Sequence, residues 1–381
     1  MEILKLANST NSVAVETRRA SRSATAKKIT VEIGRPIITI FIALLIGGVI
    51  ILLMGEDPIF AYGMLFRGAF KGMSNIIATL QNTTPLLYTG LAVSLAFRSN
   101  VVNIGVEGQM LFGALAAGIV GYYVHLPWFL HLPLAIAAAG LAGALWAYIP
   151  AILKAKLNVN EMVVCLMLNP IAQLITSYIS SYPLKAPGPT NKTYDILQTA
   201  KLPQFSKSSQ FNAGFFIALV LLLIFWYVNN HTKKGYEWEL IGQNPSFARY
   251  GGINVEKNIV QVFLVSGMIG GLAGAEQALG VYGAFYNGFS PGYGFDGIAV
   301  AMLAKFNPLV ISLSALLLGA LNSGSIVMQM MTSVTRDLVK VLQAIIVLLL
   351  AANFTLEMFR KKRKDDETLK KRPKTERKNH E

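Results

Sequence analysis

Two carboxylates stand inside long apolar stretches: Glu107 in NIGVEGQMLFGALAAG (103–118) and Glu276 in MIGGLAGAEQALGVYGAF (268–285). A third, Asp296, lies in GYGFDGIAVAMLAKFNPL (292–309). A charged side chain at the centre of a bilayer helix costs roughly 2.5–3.5 kcal/mol on insertion scales, so such groups face protein or a water-filled path. At helical spacing Glu107 shares its stripe with Ala114 and Gly118, with Gly121 following, and Glu276 with Ala273, Gly280 and Gly283. Small faces let helices approach closely, so both carboxylates are expected to point inward, toward a shared polar interior. Two roles are open to them: pinning helices through neighbouring hydroxyls and amides, or lining a path. The other polar groups at such depth are amides, namely Gln81, Asn82, Asn103, Gln109, Asn169, Gln173, Asn322 and Gln329. Amides suit hydrogen bonds to a neutral polar solute or between helices, whereas a proton-coupled carrier needs a chain of titratable groups.

Catalytic chemistry finds no footing in this chain. No G-x-x-x-x-G-K-[ST] phosphate loop occurs, the four histidines (His125, His131, His231, His380) have no metal-ligand spacing, and no nucleophile stands beside a recognisable base. The lone Cys165 allows no disulfide within the chain. We therefore expect no enzyme, no metal and no cofactor bound by this chain.

The elements that must position these groups are membrane helices. Hydrophobic residues make up 53% of the 381, charged ones 14%, and the mean hydropathy is +0.49, which removes the chain from the ordinary soluble class. Apolar runs near 36–54, 76–97, 103–124, 131–153, 161–183, 213–229, 258–285, 295–306, 308–331 and 336–354 approach the roughly 20 residues that cross a bilayer. The expectation is an all-α polytopic membrane protein with about ten transmembrane helices, the first serving as insertion signal in place of a cleaved peptide. The net charge of +14 is concentrated at the ends, with 7 of 34 Lys and Arg in 1–35 and 11 in 360–381. Basic tails around a hydrophobic body predict two cytoplasmic termini and contact with membrane lipid, not nucleic acid. The chain thus divides into a basic tail (1–35), a transmembrane domain (36–354) and a second basic tail (355–381), with an external loop at 184–212 and a cytoplasmic one at 230–257. The external loop holds Lys185, Lys192, Lys201 and Lys207 against Asp195 alone, which runs against the charge rule, but the tails outweigh it. Prolines 85, 150, 170 and 308 are expected to break spans.

TGLAVSLAFRSN (89–100) aligns with DGIAVAMLAKFN (296–307), and after a one-residue shift LFGALAAG (111–118) meets LLGALNSG (317–324). Each half reads as an inward helix, a short basic turn and a returning helix, which predicts an internal repeat. In the cytoplasmic loop, GQNPSFARYGGINVEKN predicts a short helix over about 245–250, started by Asn244 and Pro245 and stopped at Gly251 and Gly252. Phe247 and Tyr250 are its apolar knobs.

These motifs, with TPLLYTGLAVSLAFRSNVVNIGVEGQMLFGALAAG (84–118) and NVNEMVVCLMLNPIA (158–172), resemble the permease subunits of ATP-binding-cassette importers. The resemblance, covering about 55–354, is to the ribose and branched-chain amino acid permease superfamily, and within it to the nucleoside branch with its guanosine and purine nucleoside permeases. It implies an importer subunit in the cell membrane that works with a separate ATPase subunit carrying ATP and Mg, a second permease subunit and an extracellular substrate-binding lipoprotein. Asn244, Pro245, Ala248, Arg249 and Gly251 match the family's coupling helix, to which Tyr250 belongs by position. Asn103, Glu107 and Gln109 fall in its N-x-G-x-E-G-Q stretch, and Asp296 in its second-half motif. With Glu276 these four are the candidate path residues. A ribose-type sugar permease shares nearly every motif, and a self-sufficient secondary carrier is the rival from another class.

Overall fold

The structure is a computed structural model, and it describes residues 41–205, 210–345 and 348–349. Both basic tails and Lys207 lie outside the described residues. Among the described residues all regular elements are helical, and the only strand-like pairings are isolated bridges such as Lys192 with Tyr286. The chain divides into two units, one of them 54–343; the other contributes helix α1, Phe41–Leu53, and residues from 344 onward.

Within 54–343 the helices are α2 Pro58–Phe70, α3 Met73–Arg98, α4 Val106–Tyr123, α5 Trp128–Leu157, α6 Glu161–Ser181, α7 Gly214–His231, α8 Lys233–Gln243, α9 Pro245–Tyr250, α10 Val255–Glu276, α11 Tyr293–Leu303 and α12 Pro308–Met331, with α13 beginning at 336. Each apolar run read from the sequence coincides with a helix as far as its residues are described, while α2 and α8 were not foreseen. Among the described residues five helices qualify by length and apolarity as membrane spans, namely α5, α6, α7, α12 and α10 with its π-helical extension Gln277–Tyr282, or six if α1 and α2 form one span. The prolines do not break the spans as expected. Pro85, Pro133, Pro150 and Pro170 all lie inside continuous helices, and Pro308 sits in the first turn of α12, where a missing N–H costs nothing. Around Pro85 the hydroxyls of Thr83, Thr84 and Thr89 turn back onto main-chain carbonyls four residues earlier, at 2.7–3.0 Å.

α3 is the central helix, buried without interruption over 83–96. It pairs with α11 running in the same direction, since Gly297 abuts Thr89, Gly90 abuts Val300, and the Ser94 hydroxyl donates to the Phe306 carbonyl at 3.0 Å. α12 returns antiparallel along α3, with Ile311 against Gly90 and Gly319 against Thr83. The aligned segments therefore share one path: helix, tight turn, return. Both turns close with a six-residue hydrogen bond, Val101 N–H to Ala96 O and Phe306 N–H to Ala301 O, each 3.1 Å or shorter, around a left-handed Asn100 or Lys305. The structural offset is 205 residues, against 207 in the sequence alignment.

A second seam is made of glycine. α4 and α10 run parallel, pairing Asn103 with Ser266, Gln109 with Gly270 and Ala114 with Gly274, while α5 lies antiparallel on α10 with Ala147 against Gly267 and Ala139 against Gly271. A side-chain carbon on Gly271 would overlap the Ala139 carbonyl, and one on Gly113 would overlap the Gly271 backbone. These helices touch main chain to main chain, which lipid cannot drive and close packing must. Gly271→Val is thus expected to cost well over the 1–3 kcal/mol typical of overpacking. The loss shows as a collapsed monodisperse peak in fluorescence-detected size exclusion, with Gly63→Ala, which meets nothing within 4 Å, as the unaffected control.

Candidate functional site

Between α3 and α4 the chain is not helical. Residues 101–104 have no regular secondary structure and Gly105 begins the turn into α4, yet Val101 is 1% exposed and Asn103 fully buried. Asn103 meets Ser266 halfway along α10, so this irregular backbone lies deep in the helical body. Its polar groups are satisfied by side chains. The Asn103 amide donates to Gln109 Oε1 (3.1 Å) and Ser266 Oγ (2.8 Å), and its oxygen accepts from Gly105 N–H and Gln109 Nε2, both 3.0 Å. Ser266 in turn donates to Ala92 O at 2.7 Å. Asn169 of α6 accepts from Gly108 N–H (3.1 Å) and donates to Ile104 O (3.0 Å). Asn103 and Gln109 thus direct their amides at each other and at the break, with no exposed surface.

Glu107 sits in the first turn of α4 and its Oε2 accepts from Gly294 N–H at 2.7 Å, capping the start of α11. Gly294 has no room for a side chain, because a Cβ there would overlap the Glu107 backbone. Beside this contact opens a cavity of about 350 Å³ whose walls come from α4, the middle of α6 and the 287–295 segment; Glu107, Asn169, Gln173, Asn287, Ser290 and Phe295 are among its lining. Asp296 follows Phe295 in the first turn of α11 and is not among the residues of the cavity wall.

Glu276 occupies a different place. It is 2% exposed and holds Asn212 Nδ2 at 2.8 Å and Gln277 Nε2 at 2.6 Å. Asn212 passes the link on to Gly214 N–H at 2.8 Å, the start of α7. The shared polar interior expected for Glu107 and Glu276 is not formed: each carboxylate has its own partners, because the segments that end against them differ. The 184–212 loop that Glu276 anchors is itself pinned by main-chain bonds, Thr193 N–H to Phe285 O, Ile196 N–H to Gly283 O, Leu197 N–H to Gly121 O and Leu202 N–H to Leu279 O, at 2.8–3.0 Å.

The 230–257 loop holds two helices. In α9, Asn244 Oδ1 accepts from Phe247 N–H at 3.0 Å, Pro245 takes the first position, and Ile253 N–H closes on Ala248 O at 3.0 Å around Gly252, whose φ is +79°. The left-handed stop falls on Gly252 and not on Gly251. Ala248 also departs from expectation: it is fully buried with Ile241 and Val255, so it is the foot holding α9 to the body and presents no surface to a partner. Tyr250 is 92% exposed, Phe247 60%, and Arg249 projects beside them at 3.5 Å from Glu256. α8 rests directly on the end of α3, with Gly242 against the Arg98 carbonyl and Glu239 3.5 Å from the Arg98 guanidinium. With the Asn229 amide oxygen turned toward it, that guanidinium also donates three bonds of 2.6–3.0 Å to α7. At the start of α8 the Lys234 ammonium, 2.8 Å from Glu237, holds that carboxyl below its usual range, so the tie persists at neutral pH and is lost as pH falls through the lowered value.

A break deep in a helical body, a polar cavity beside it and an exposed capped helix joined through α8 to the central helix fit a membrane permease, and sequence comparison decides it. The profile of the family described as "Branched-chain amino acid transport system / permease component" matches residues 75–351. The chain belongs to this permease family. It is 38% identical over 84% of its length to the guanosine ABC transporter permease protein NupP of Bacillus subtilis, covering 93% of that protein. It is 33% identical to the glucose ABC transporter permease protein TsgB13 of Haloferax volcanii (87% of this chain, 89% of the relative). The nucleoside ABC transporter permease protein NupB of Lactococcus lactis is 29% identical, over 86% and 93%. No solved structure matches. As a family permease the chain is a multi-pass membrane protein and not an enzyme.

Sequence reasoning found Asn103, Glu107 and Gln109 but not their division of labour. It missed Asn212 and Ser290, which lie in loops and carry no periodic signal, and it placed Gln173 and Asn169 only as members of a list of amides. The amide clamp gives a direct test. Asn103→Ala strands Gln109, Ser266 and the Gly105 N–H, each unmade buried bond costing about 1–3 kcal/mol. The purified permease should melt markedly earlier in detergent, whereas exposed Gln329→Ala leaves its melting temperature unchanged.

Proposed function

We propose that the chain is the transmembrane subunit of an ATP-binding-cassette importer for nucleosides, guanosine and related purine nucleosides foremost. The observation that carries this reading is 38% identity, sustained over 84% of the chain, to a protein named as a guanosine permease. A glucose permease at 33% identity supports a sugar as the second reading. The membrane body would cross the bilayer ten times, through α1, α3–α7, α10–α13, with α2, α8 and α9 not crossing and both basic tails in the cytoplasm. The helix directions derived from contacts agree with that count, since α4, α10 and α12 run one way and α3, α5 and α11 the other.

ATP and Mg would be bound by a separate ATPase subunit, and this chain would hold no cofactor. The ATPase would meet α9 through Asn244, Pro245, Arg249, Tyr250 and Gly251, with Phe247 as the apolar knob. An extracellular substrate-binding lipoprotein would deliver solute, and a second permease would cover the side of the cavity that this chain leaves open, where Gln173, Asn287 and Phe295 are exposed. Amides exposed in the middle of a bilayer-depth face require protein or water, not acyl chains. Asn103, Glu107, Gln109, Glu276 and Asp296 would all serve the path, Glu107 from its wall and Asn103 and Gln109 by holding the break beside it.

Reconstitution with the ATPase, second permease and binding protein is expected to give ATP-dependent guanosine uptake, with glucose as competitor that has no effect. Displacement of guanosine by glucose would instead favour the sugar reading, and uphill flux through this chain alone would eliminate the assembly. In the same system Arg249→Glu reverses a charge on the exposed face of α9, so uptake should fall severalfold while the membrane level of the protein stays normal. Wild-type uptake in that variant would move the coupling contact elsewhere.

A further inference from the structure

The lining of the 350 Å³ cavity has an unusual balance of groups. It contains one carboxylate, Glu107; three amides, Asn169, Gln173 and Asn287; two hydroxyls; and one exposed aromatic face, Phe295; it contains no lysine or arginine. Its volume falls within the roughly 300–1,000 Å³ of small-molecule sites. Asn169 is committed to the backbone of Gly108 and Ile104, and the Asn287 amide to Ser177 Oγ at 2.8 Å. Glu107 accepts from Gly294 N–H through Oε2 and also from the Ser290 hydroxyl, and a carboxylate, with about four lone-pair sites, keeps acceptor capacity beyond these two bonds. An anionic solute, whether a phosphate ester or an amino-acid carboxylate, would face that carboxylate with no cation to offset it. A neutral planar solute rich in N–H donors would find in this lining both an acceptor, Glu107, and a ring to stack on, Phe295.

We propose that this cavity is a station on the solute path, and that Glu107 reads the solute there by accepting the adjacent N1–H and N2–H donors of a guanine-type base, with the base stacked on Phe295. Adenine presents an unprotonated N1 on the corresponding edge, which places a lone pair against the carboxylate. The carboxylate therefore discriminates between two purines of the same size. This inference rests on the nucleoside reading above, and it assigns to the permease a share of selectivity separate from that of the delivering protein.

The test is uptake of guanosine and of adenosine by the complete transporter in proteoliposomes, with one binding protein throughout so that its own preference cancels. Glu107→Gln keeps the shape but faces one guanine donor with an NH2 group. It is expected to lower the guanosine-to-adenosine uptake ratio about tenfold or more relative to wild type, the loss of a charge-assisted bond. Phe295→Ala, at a position 45% exposed and outside the glycine seams, is expected to lower uptake of both nucleosides and leave their ratio unchanged. An equal fall for both nucleosides in Glu107→Gln, or full uptake in Phe295→Ala, overturns the proposal. If Glu107→Gln does not assemble, Phe295→Ala decides alone. A wild-type transporter that moves neither nucleoside defeats the underlying nucleoside reading instead, which is distinguishable because no variant is needed to see it.

Discussion

Non-helical backbone deep inside a helical membrane protein must be hydrogen-bonded by protein, because neither lipid nor bulk water is there to do it. Residues 101–105 impose that requirement, and much of the architecture answers it. Asn103 and Gln109 form a reciprocal amide pair at 3.0–3.1 Å, Ser266 ties the pair to α10 and through Ala92 to α3, and Asn169 brings α6 to the start of α4. Four helices thus converge on five residues. The break also decides where α4 starts, and so sets Glu107 beside the cavity rather than at a membrane surface.

The glycine seam solves the complementary problem. Residues that satisfy the break are short, so α4, α6 and α10 must come close enough for them to reach. Gly270 leaves space for the Gln109 side chain, a Cβ on Gly105 would lie only 3.2–3.3 Å from Asn103, Gln109 and Cys165, and Gly113, Gly271 and Gly274 bring α4 and α10 into backbone contact. A larger side chain at these positions would not only strain the seam but also pull donors away from acceptors one turn below. Packing and polar satisfaction are therefore one device, in a setting where apolar burial gives no preference for protein over lipid.

Hydropathy made the lipid-facing helices legible and blurred the central ones, for a physical reason. α6 and α7 bury only a narrow face against the body, so Met167, Leu174, Val220, Leu223 and Ile224 are exposed and the apolar signal is strong. α3 touches protein all round and can carry Thr79, Thr83, Thr84, Thr89 and Ser94 buried at 2% exposure or less. It falls short of a span by composition although it is the helix most enclosed. α2 escaped notice because its 13 residues fall short of a span although Asp57 and Pro58 mark its start, and α8 because it has the composition of a surface loop. The α9 stop signals were readable to within one residue, since Asn-Pro and Gly-Gly act locally, but which face of α9 is buried depends on Ile241 and Val255, which belong to the neighbouring helices α8 and α10. The candidate carboxylates were found by their oddity in apolar context; their partners, Gly294 and Asn212, are set by tertiary contacts that no local pattern encodes.

An unbroken line of contacts joins the exposed helix to the cavity. α9 is fixed by Ala248 to Ile241 of α8, α8 rests through Gly242 on the end of α3 at Arg98, and Phe97 one residue earlier stacks on Phe306 at 5.0 Å. Phe306 closes the turn after α11, whose other end is held by Glu107 at Gly294. α11 is only 11 residues long, about 16 Å at the helical rise, so both of its ends are engaged: one by the turn nearest α8, the other by the wall of the cavity. A displacement of α8 that shifted Arg98 would reach α11 through the Phe97–Phe306 stack and the Ser94–Phe306 hydrogen bond, and through α11 the Glu107–Gly294 hydrogen bond at the cavity. Because α11 is also sealed along α3, with Gly297 against Thr89 and Gly90 against Val300, such a displacement would carry the two helices together as one body.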